Sequence, residues 1–467
     1  MSGRYGYHRD ELYFRVIGAH PAFGYDDQPP LVPLLDHLLD TVGGKSLVVL
    51  RLPAACAGVA IILITAALCR RLGGDTRAQT LAAITAAVSA YLVSVGHLST
   101  TTIYDCLMWA LVSLLVVKAL SGNDRAWIGA GAVIGLAGEV KTLALVFAAV
   151  LVLWVLAARG RTLLRCPQFW IGALLAAALA APDLLWQQAH GWPQFALSRS
   201  IASGSSGSSQ SPWIFLPFQL LLVSPVLAPV WLLGLWRLAR DRHLRPYRPF
   251  ALTYLTLAVV FMFTHGKPYY VAGLFPILIA AGAPAVIGWM RSGRARLRTG
   301  SVGAAVALSG VVSAVLMLPV LPVAVLPDTP VTAINYDAGE QVGWPTFAHV
   351  VAQVRAGLPA TERSHAIVLA ANYGEAGALA RYQPEVPTYG AQNSLWDLGQ
   401  PPADTTAAVV VGFRQEQLHQ WFVSVRGVRD ARNPYGVDND EQGRVIYLCA
   451  RPRLPWSRIW LSARHLG

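Results

Sequence analysis

A succession of long apolar segments, separated by short polar ones, constrains this fold more than any other feature. A helix needs about 20 apolar residues to cross a bilayer, and many of these segments approach that length. Charged residues make up only 13% of the chain, whereas soluble domains carry about 25%. The sequence therefore predicts a polytopic α-helical membrane protein. The apolar segments lie at about 47–69, 79–95, 106–120, 127–157, 169–186, 213–236, 250–264, 271–290 and 302–326.

One of these segments, 127–157, is too long for a single span. It is interrupted by Gly138-Glu139-Val140-Lys141, and two charged side chains are costly inside a hydrocarbon core. We therefore divide it into two short helices, which brings the prediction to ten spans.

The basic residues of the loops give the orientation of these spans. Cytoplasmic loops are enriched in Lys and Arg. One set of alternate loops contains seventeen basic residues, whereas the other contains only Lys141, Arg199 and Lys267. The first set is predicted to be cytoplasmic, so the N-terminus and the segment after residue 327 are predicted to be extracytoplasmic. A net charge of +12 can also indicate a nucleic-acid partner, but arginines dispersed between spans argue against nucleic acid.

The composition changes near residue 330, where charged residues, Asn, Gln and Pro become frequent. Alternating strands and helices there predict a small extracytoplasmic α/β domain. The strands are expected at His365–Ala370, Ala407–Phe413 and Arg444–Cys449, and the helices at Gly374–Tyr382 and 415–425. The predicted domains are an extracytoplasmic loop with interfacial helices (1–46), a transmembrane domain (47–326) and the α/β domain (327–467).

Two shorter segments also carry a prediction. Residues 31–42 place Leu31, Leu34, Leu35, Leu38, Leu39 and Val42 at helical spacing, with Asp36, His37 and Asp40 opposite. This pattern is typical of an amphipathic helix that lies in the membrane interface. Residues 203–209 have the Gly/Ser composition of a flexible linker. They belong either to a solvated loop or to a mobile lid over a site on the same face.

Nine ionisable residues fall on the same predicted face of the membrane. Charge is costly near a bilayer, so such residues are candidates for a functional site. A carboxylate there can act as a general base on a hydroxyl or an amine. A Lys or Arg can hold a lipid-linked phosphate and stabilise its charge. We therefore expect one shared site at the outer surface. The nine residues are Asp10, Glu11, Asp26, Asp27, Asp105, Glu139, Lys141, Asp183 and Lys267.

An ordered set of motifs accompanies these residues. The first is Asp10-Glu11-Leu12-Tyr13, followed by Gly24-Tyr25-Asp26-Asp27-Gln28-Pro29-Pro30-Leu31. This set resembles bacterial glycosyltransferase family 39, the GT-C relatives of protein O-mannosyltransferases and of the lipid A aminoarabinose transferase. The resemblance covers nearly the whole chain. It continues through Gly96–Thr100, His190–Pro193, Gly266–Tyr270 and Asn372–Ala376.

The resemblance implies a GT-C fold and an inverting glycosyltransferase. The sugar would pass from a polyprenyl-phosphate donor to an acceptor by direct displacement at the anomeric carbon, on the extracytoplasmic face of the inner (plasma) membrane. Asp10 resembles the catalytic carboxylate, with Glu11 beside it. Asp105 resembles the second acidic residue of the family.

The resemblance also implies a set of substrate-binding residues. Lys267 falls, with Tyr269 and Tyr270, where relatives contact the lipid phosphate. The expected acceptor is a cell-envelope glycan, lipid or protein. Relatives differ in whether a divalent cation takes part, and the sequence contains no CxxC or metal-ligand spacing that implies one. The remaining candidates flank the acids: His8, Arg9 and Asp27.

Two further expectations follow. Relatives have a transmembrane helix before the Asp-Glu loop, whereas nine residues precede Asp10, so we expect the family's first helix to be missing from this sequence. The alternative function is a transporter or flippase of lipid-linked sugars, which ten spans and a headgroup site would also suit. Transporters commonly place ionisable groups at the midplane and show internal repeats, and neither is evident in the sequence.

Overall fold

The computed structural model describes residues 3–204 and 209–467. The chain forms two compact units. The terminal unit comprises Met1–Asp27, Val32–Arg51 and Pro319–Gly467, and the membrane unit comprises Gln28–Leu31 and Leu52–Leu318. The domain boundaries predicted from the sequence, after residues 46 and 326, stay predictions. Of the expected linker, residues 205–208 lie outside the described residues.

The membrane unit is built from apolar helices, which confirms the predicted class of polytopic membrane protein. Among the described residues, six helices are long and apolar enough to cross a membrane. These six are Leu47–Arg71, which begins in the terminal unit, Thr101–Leu120, Pro167–Ala189, Arg245–Phe263, Pro268–Arg291 and Ala295–Met317.

The long apolar segment after residue 126 forms two short helices. They are Ala126–Gly138 and Leu143–Arg159, and Glu139 and Lys141 lie between them. The division of this segment is therefore confirmed. Its physical cause is that a carboxylate and an ammonium group resist burial in the middle of a span.

Two predicted spans are not single helices. The segment 213–236 forms Pro212–Val223 and Ala228–Arg240, which are bent by 109°. Pro225 lies in the break, and proline cannot continue a helical hydrogen-bond ladder. The segment 79–95 forms Thr76–Ala87 and Ala90–Val95. Two of the ten predicted spans are therefore interrupted helices, and the span count is roughly consistent with the prediction. Two further helices of this unit are Arg161–Leu164 and Pro193–Ala202.

Glycines bring two pairs of membrane helices into backbone contact. A side chain at Gly131 would lie 1.9 Å from the carbonyl oxygen of Gly172, on the Pro167–Ala189 helix. A side chain at Gly234 would lie 1.7 Å from the carbonyl oxygen of Leu278. Small residues are the usual means of close helix packing in membranes. The first contact fixes the helix that ends immediately before Glu139.

The terminal unit contains a five-stranded mixed sheet, which confirms the small C-terminal α/β fold. Its order is β2-β1-β3-β5-β4. Strand β1 is parallel to β2 and β3, whereas β5 is antiparallel to β3 and β4. The strands are β1 Ala366–Ala370, β2 Thr388–Gly390, β3 Ala407–Val411, β4 Phe422–Asp430 and β5 Val445–Pro452.

The sequence predicts three of these strands and misses β2 and β4. Strand β2 has only three residues, too few to show an alternating pattern. The helix predicted at 415–425 ends at Trp421, and strand β4 begins at Phe422. Alternating valines in β4 favour a strand, and pairing with β5 overrides the helical pattern.

The helices of this unit lie before, between and after the strands in the chain. In the described part of the terminal unit the α-helices are Arg9–Gly18, Leu31–Val42, Val331–Ile334, Tyr336–Gly339, Trp344–Ala356, Ala360–Arg363, Tyr373–Tyr382, Gln415–Trp421 and Trp456–Ala463, the second beginning in the membrane unit. Two 3-10 helices lie at Val323–Asp328 and Asn393–Leu398.

The amphipathic helix predicted at residues 31–42 is present as Leu31–Val42. Its apolar side is open, since Leu38 is 57% exposed and Val42 is 77% exposed. Its polar side faces protein, because Asp36 is fully buried and Asp40 pairs with Arg15 at 2.7 Å. The exposed leucines suit a helix at a lipid surface.

Candidate functional site

The Asp-Glu motif lies in the first turn of the helix Arg9–Gly18. His8 caps this helix: its Nδ1 accepts a hydrogen bond from the Asp10 amide at 3.2 Å. The Glu11 carboxylate accepts one from the His8 amide at 2.8 Å, which completes a capping box. Two acids in the first turn interact favourably with the helix dipole. The motif therefore starts the helix and fixes where its acids point.

Glu11 points into the protein. Its carboxylate forms a two-pronged ion pair with Arg51, at 2.7 Å to Nε and 2.8 Å to Nη2. Neither residue is appreciably exposed, with 0% of the Glu11 side chain and 2% of the Arg51 side chain accessible. Glu11 is therefore placed to anchor the helix, and contact with a substrate would require it to become exposed.

Asp10 is the accessible acid of the pair. Its side chain is 31% exposed. The hydroxyl of Tyr373 donates a hydrogen bond to its Oδ1 at 2.8 Å. Its Oδ2 lies 3.9 Å from Nδ1 of His8, which is beyond hydrogen-bond distance. The carboxylate thus has one fixed oxygen and a partly exposed side chain, as a general base requires.

Arg9 uses its charge inside the terminal unit. Its Nη1 lies 2.9 Å from Oδ2 of Asp440 and 3.5 Å from Oε2 of Glu340. It also donates to the hydroxyl of Tyr336 at 2.8 Å. The Arg9 guanidinium is therefore paired through Nη1 with carboxylates of the terminal unit, and its assignment to substrate binding stays a prediction.

His8 is buried beside two acids. Its Nε2 lies 3.4 Å from Oδ1 of Asp337. Burial lowers the pKa of the imidazole, but Asp10 and Asp337 outweigh burial, so the net pKa of His8 is raised. A histidine with a raised pKa carries more positive charge near neutral pH.

Asp27 is connected to Asp10 through two tyrosines. It accepts hydrogen bonds from the hydroxyl of Tyr13 at 2.7 Å and from Nδ2 of Asn393 at 3.1 Å. Burial raises the pKa of Asp27 to about 7. The ring of Tyr13 packs against the ring of Tyr373, with the centroids 4.8 Å apart. The structure therefore brings Asp27 and Asp10 together through two adjoining tyrosines.

Sequence reasoning missed Tyr13 and Tyr373 as site residues. Tyr13 lies within the Asp-Glu-Leu-Tyr motif, nearly one helical turn after Asp10. Tyr373 lies within the motif Asn372–Ala376. Both tyrosines belong to motifs that the sequence contains, and this membership is the feature that could have identified them as site residues.

Glu375 provides a pH-dependent test of this part of the unit. Burial raises its pKa to about 7, from an ordinary value of 4.5. Between these two pH values the unfolded chain loses this proton and the folded chain keeps it, so stability falls as the pH rises. We expect this group to lower the free energy of unfolding by about 3 kcal/mol between pH 4.5 and 7.

The comparison is between wild type and Glu375→Gln, by thermal unfolding of the detergent-solubilised protein at pH 5 and pH 8. Gln can still accept the hydrogen bond that Glu375 takes from the Asn372 amide at 2.9 Å. The variant is expected to lose less stability on going to pH 8 than the wild type does. An equal loss in both proteins would contradict the prediction.

In the membrane unit, Asp105 lies in the first turns of the helix Thr101–Leu120. Nε1 of Trp109 donates to its Oδ1 at 2.8 Å. The side chain is buried, and the positive charge of Lys141 acts on it electrostatically. Asp105 is thus placed to orient a cation rather than to meet bulk solvent.

Lys141 and Lys267 converge on the same pair of tyrosines. Nζ of Lys141 lies 5.6 Å from the ring centroids of both Tyr269 and Tyr270. Nζ of Lys267 lies 5.8 Å from the ring centroid of Tyr269. These distances are typical of cation–π contacts. We call these four residues the lysine–tyrosine cluster; it holds two ammonium groups that could bind a phosphate.

The sequence predicts that Lys141 lies on this face of the membrane, but it does not assign Lys141 to substrate binding. A single lysine within an apolar segment is the feature that could have indicated such a role. Its Nζ also lies 3.5 Å from Oγ1 of Thr102, one turn from Asp105. The break after Gly138 therefore places the ammonium group of Lys141 in the lysine–tyrosine cluster.

Two further acids of the predicted face lie close to this break. Glu139 accepts a hydrogen bond from the Asp183 amide at 3.2 Å. Asp183 in turn accepts one from Nε2 of Gln194 at 3.3 Å. These bonds hold the helix Pro193–Ala202 in place. As for metal ligands, residues 3–204 and 209–467 contain no group of three or more His, Cys, Asp or Glu side chains arranged to hold an ion.

Comparisons with known proteins agree with the motifs. A family model described as dolichyl-phosphate-mannose-protein mannosyltransferase matches residues 27–186. No curated protein matches the chain in sequence.

Solved structures match over more of the chain. ArnT from Cupriavidus metallidurans, bound to undecaprenyl phosphate, is similar with a TM-score of 0.60 and 16% identity over 96% of this chain and 95% of its own. Its apo form gives the same TM-score. The Archaeoglobus fulgidus oligosaccharyltransferase, tethered to an acceptor peptide, has a TM-score of 0.53 and 13% identity, over 81% of this chain and 60% of its own. The resemblance to GT-C glycosyltransferases is thus confirmed. At identities of 13–16%, the structural similarity shows a shared fold alone.

Proposed function

From its GT-C fold, we propose that this protein is a membrane glycosyltransferase that moves a sugar from a polyprenyl-phosphate donor to an acceptor, with inversion, on the extracytoplasmic face of the inner membrane. The observation that carries the proposal is Asp10, a partly exposed carboxylate with one oxygen fixed by Tyr373. The undecaprenyl phosphate in the similar ArnT structure supports a lipid-linked donor.

Asp10 would act as the general base. It takes the proton from an acceptor hydroxyl or amine while that atom attacks the anomeric carbon of the donor. The bond between the anomeric carbon and the phosphate oxygen breaks in the same step, with its electron pair leaving on the phosphate. The products are the glycosylated acceptor, polyprenyl phosphate and a protonated Asp10.

The lysine–tyrosine cluster would hold the donor phosphate. The leaving phosphate gains negative charge as its bond to the sugar breaks, and a fixed cation stabilises that charge. Lys141 and Lys267 supply two such cations, with Tyr269 and Tyr270 as neutral donors beside them. Asp105 would act on the donor through Lys141, as an orienting acid.

The acceptor is proposed only as a class: a cell-envelope glycan, lipid or protein. The archaeal oligosaccharyltransferase structure holds an acceptor peptide, which supports a protein acceptor.

A reconstitution experiment tests the proposed function against the flippase alternative. Purified protein in liposomes receives undecaprenyl-phosphate-linked sugars and a panel of glycan, lipid and peptide acceptors. We expect release of undecaprenyl phosphate together with one glycosylated acceptor. Movement of the labelled headgroup across the bilayer, with no product formed, would support the flippase and overturn the glycosyltransferase.

The role of Lys141 gives a quantitative expectation. A charge-assisted contact with a phosphate contributes about 1.5–3 kcal/mol, so Lys141→Met should lower kcat/KM for the donor at least about tenfold. Lys118→Met is the matched control, because Lys118 lies in the last turn of the helix Thr101–Leu120, the opposite end from Asp105. Equal kcat/KM in the two variants would remove Lys141 from the phosphate site.

A further inference from the structure

The backbone of Tyr373 is fixed by contacts at the start of its helix. It is the first residue of the helix Tyr373–Tyr382. The side chains of Asn372 and Glu375 form a capping box at this helix start. The amide of Tyr373 donates to Oε1 of Gln392 at 2.9 Å. The direction of the tyrosine is therefore fixed by the C-terminal sheet and its helices.

The helix of Tyr373 lies in backbone contact with the helix of Asp10. A side chain at Gly377 would lie 2.9 Å from the backbone of Leu12, and one at Gly374 would lie 2.9 Å from Cβ of Arg9. Only glycine at these two positions allows so close an approach without displacement. The contact brings the Tyr373 hydroxyl to 2.8 Å from Oδ1 of Asp10.

In this hydrogen bond Tyr373 is the donor and Asp10 is the acceptor. Burial, followed by the neighbouring charge of Asp10, raises the pKa of Tyr373 well above its usual value of 10. The phenol therefore stays protonated and donates to the carboxylate. It occupies Oδ1, so the proton of an acceptor can be taken up at Oδ2, which lies 3.9 Å from the nearest nitrogen of His8.

A second tyrosine holds the ring of the first. The ring of Tyr13 packs on that of Tyr373 at 4.8 Å between centroids. The hydroxyl of Tyr13 donates to Asp27 at 2.7 Å and accepts from the amide of Ser394 at 3.3 Å. Tyr373 is thus enclosed by contacts that restrict both its backbone and its ring.

We propose that Tyr373, supplied by the C-terminal part of the chain, is a positioning residue that orients the carboxylate of Asp10. This inference rests on the proposed function, because it assigns a partner to the base of that reaction. It gives the α/β domain a part in catalysis, in addition to any part it has in acceptor binding. Asp10 remains the group that touches the acceptor.

The test is Tyr373→Phe, which keeps the ring and its packing and removes only the hydroxyl. We expect kcat to fall about tenfold, the usual effect of a lost hydrogen bond to a charged group, with KM for the donor unchanged. A hydrogen bond donated to a carboxylate favours the charged form. The acidic limb of the pH–rate profile should therefore move to higher pH in the variant.

Tyr25→Phe is the matched control for the loss of a buried hydroxyl. Tyr25 donates to the carbonyl oxygens of Ile17 and His20 at 3.0 and 3.2 Å, in the same unit but at the far end of the Asp10 helix. This variant should leave kcat and the pH–rate profile of the full-length protein unchanged. Thermal unfolding of both variants measures how much each hydroxyl contributes to stability.

The outcomes separate this inference from the proposed function. A wild-type protein that transfers no sugar would overturn the proposed function. An active wild type with an unchanged Tyr373→Phe variant would overturn the positioning role alone. A drop in kcat that Tyr25→Phe shares, with no movement of the pH–rate profile, would assign Tyr373 to stability and likewise overturn the positioning role.

Discussion

Replacing Asp10 by Asn is expected to lower kcat for sugar transfer by about 10³-fold, within the range of 10²–10⁴ that general acid–base groups contribute. An amide cannot take up the acceptor's proton at neutral pH. It can still accept the hydrogen bond from Tyr373 through its carbonyl oxygen, so the local structure should survive. The measurement is the rate of release of undecaprenyl phosphate under saturating donor, with KM determined separately.

Two variants control for this experiment. Asp404→Asn removes an exposed acid of the same unit, one that lies 3.2 Å from His365 and far along the chain from Asp10, and it should keep full activity. Glu11→Gln removes an acid from the same helical turn and keeps the exposed carboxylate; because it also leaves Arg51 without its buried partner, its kcat is compared together with its thermal stability. An Asp10→Asn variant that retains more than about a tenth of the wild-type kcat would be inconsistent with the role of a general base.

The membrane class and the strand–helix character of the C-terminal part could be predicted because each depends on local patterns. Apolar length determines whether a segment can span a bilayer. Where the fold departs from prediction, a tertiary contact or a proline decides. The bend between Val223 and Ala228 follows Pro225, and strand β4 at Phe422–Asp430 forms by pairing with β5.

The site residues likewise include some that the sequence predicts and some that it does not. The Asp-Glu motif and the lone lysines stand out in an apolar sequence because their charge is costly there. Their partners do not stand out: Tyr373 lies 363 residues from Asp10, and Arg51 lies 40 residues from Glu11. The resemblance marks Asp10 as the catalytic carboxylate and places Glu11 beside it, but it does not indicate that Glu11 is buried. The fold adds the physical difference, because it leaves Asp10 partly exposed and buries Glu11.

That distinction leads to a second large effect, on stability. Replacing Arg51 by Met is expected to lower the free energy of unfolding by about 3–5 kcal/mol, because it leaves a buried carboxylate without its counter-charge. The Glu11 side chain has no exposed surface, so water cannot compensate for the lost partner. Thermal unfolding of the detergent-solubilised protein, followed by size-exclusion chromatography, measures the loss.

The double variant Glu11→Gln with Arg51→Met separates the ion pair from simple packing. With both charges removed, no buried charge remains uncompensated, so the double variant should be more stable than Arg51→Met alone. Asp430→Asn, which breaks the exposed contact with Arg432 at 3.1 Å, should change stability by less than about 1 kcal/mol. If Arg51→Met and Asp430→Asn proved equally mild, Glu11 would have to reach water or take up a proton in the variant. The helix that presents Asp10 would then not depend on the Glu11–Arg51 pair.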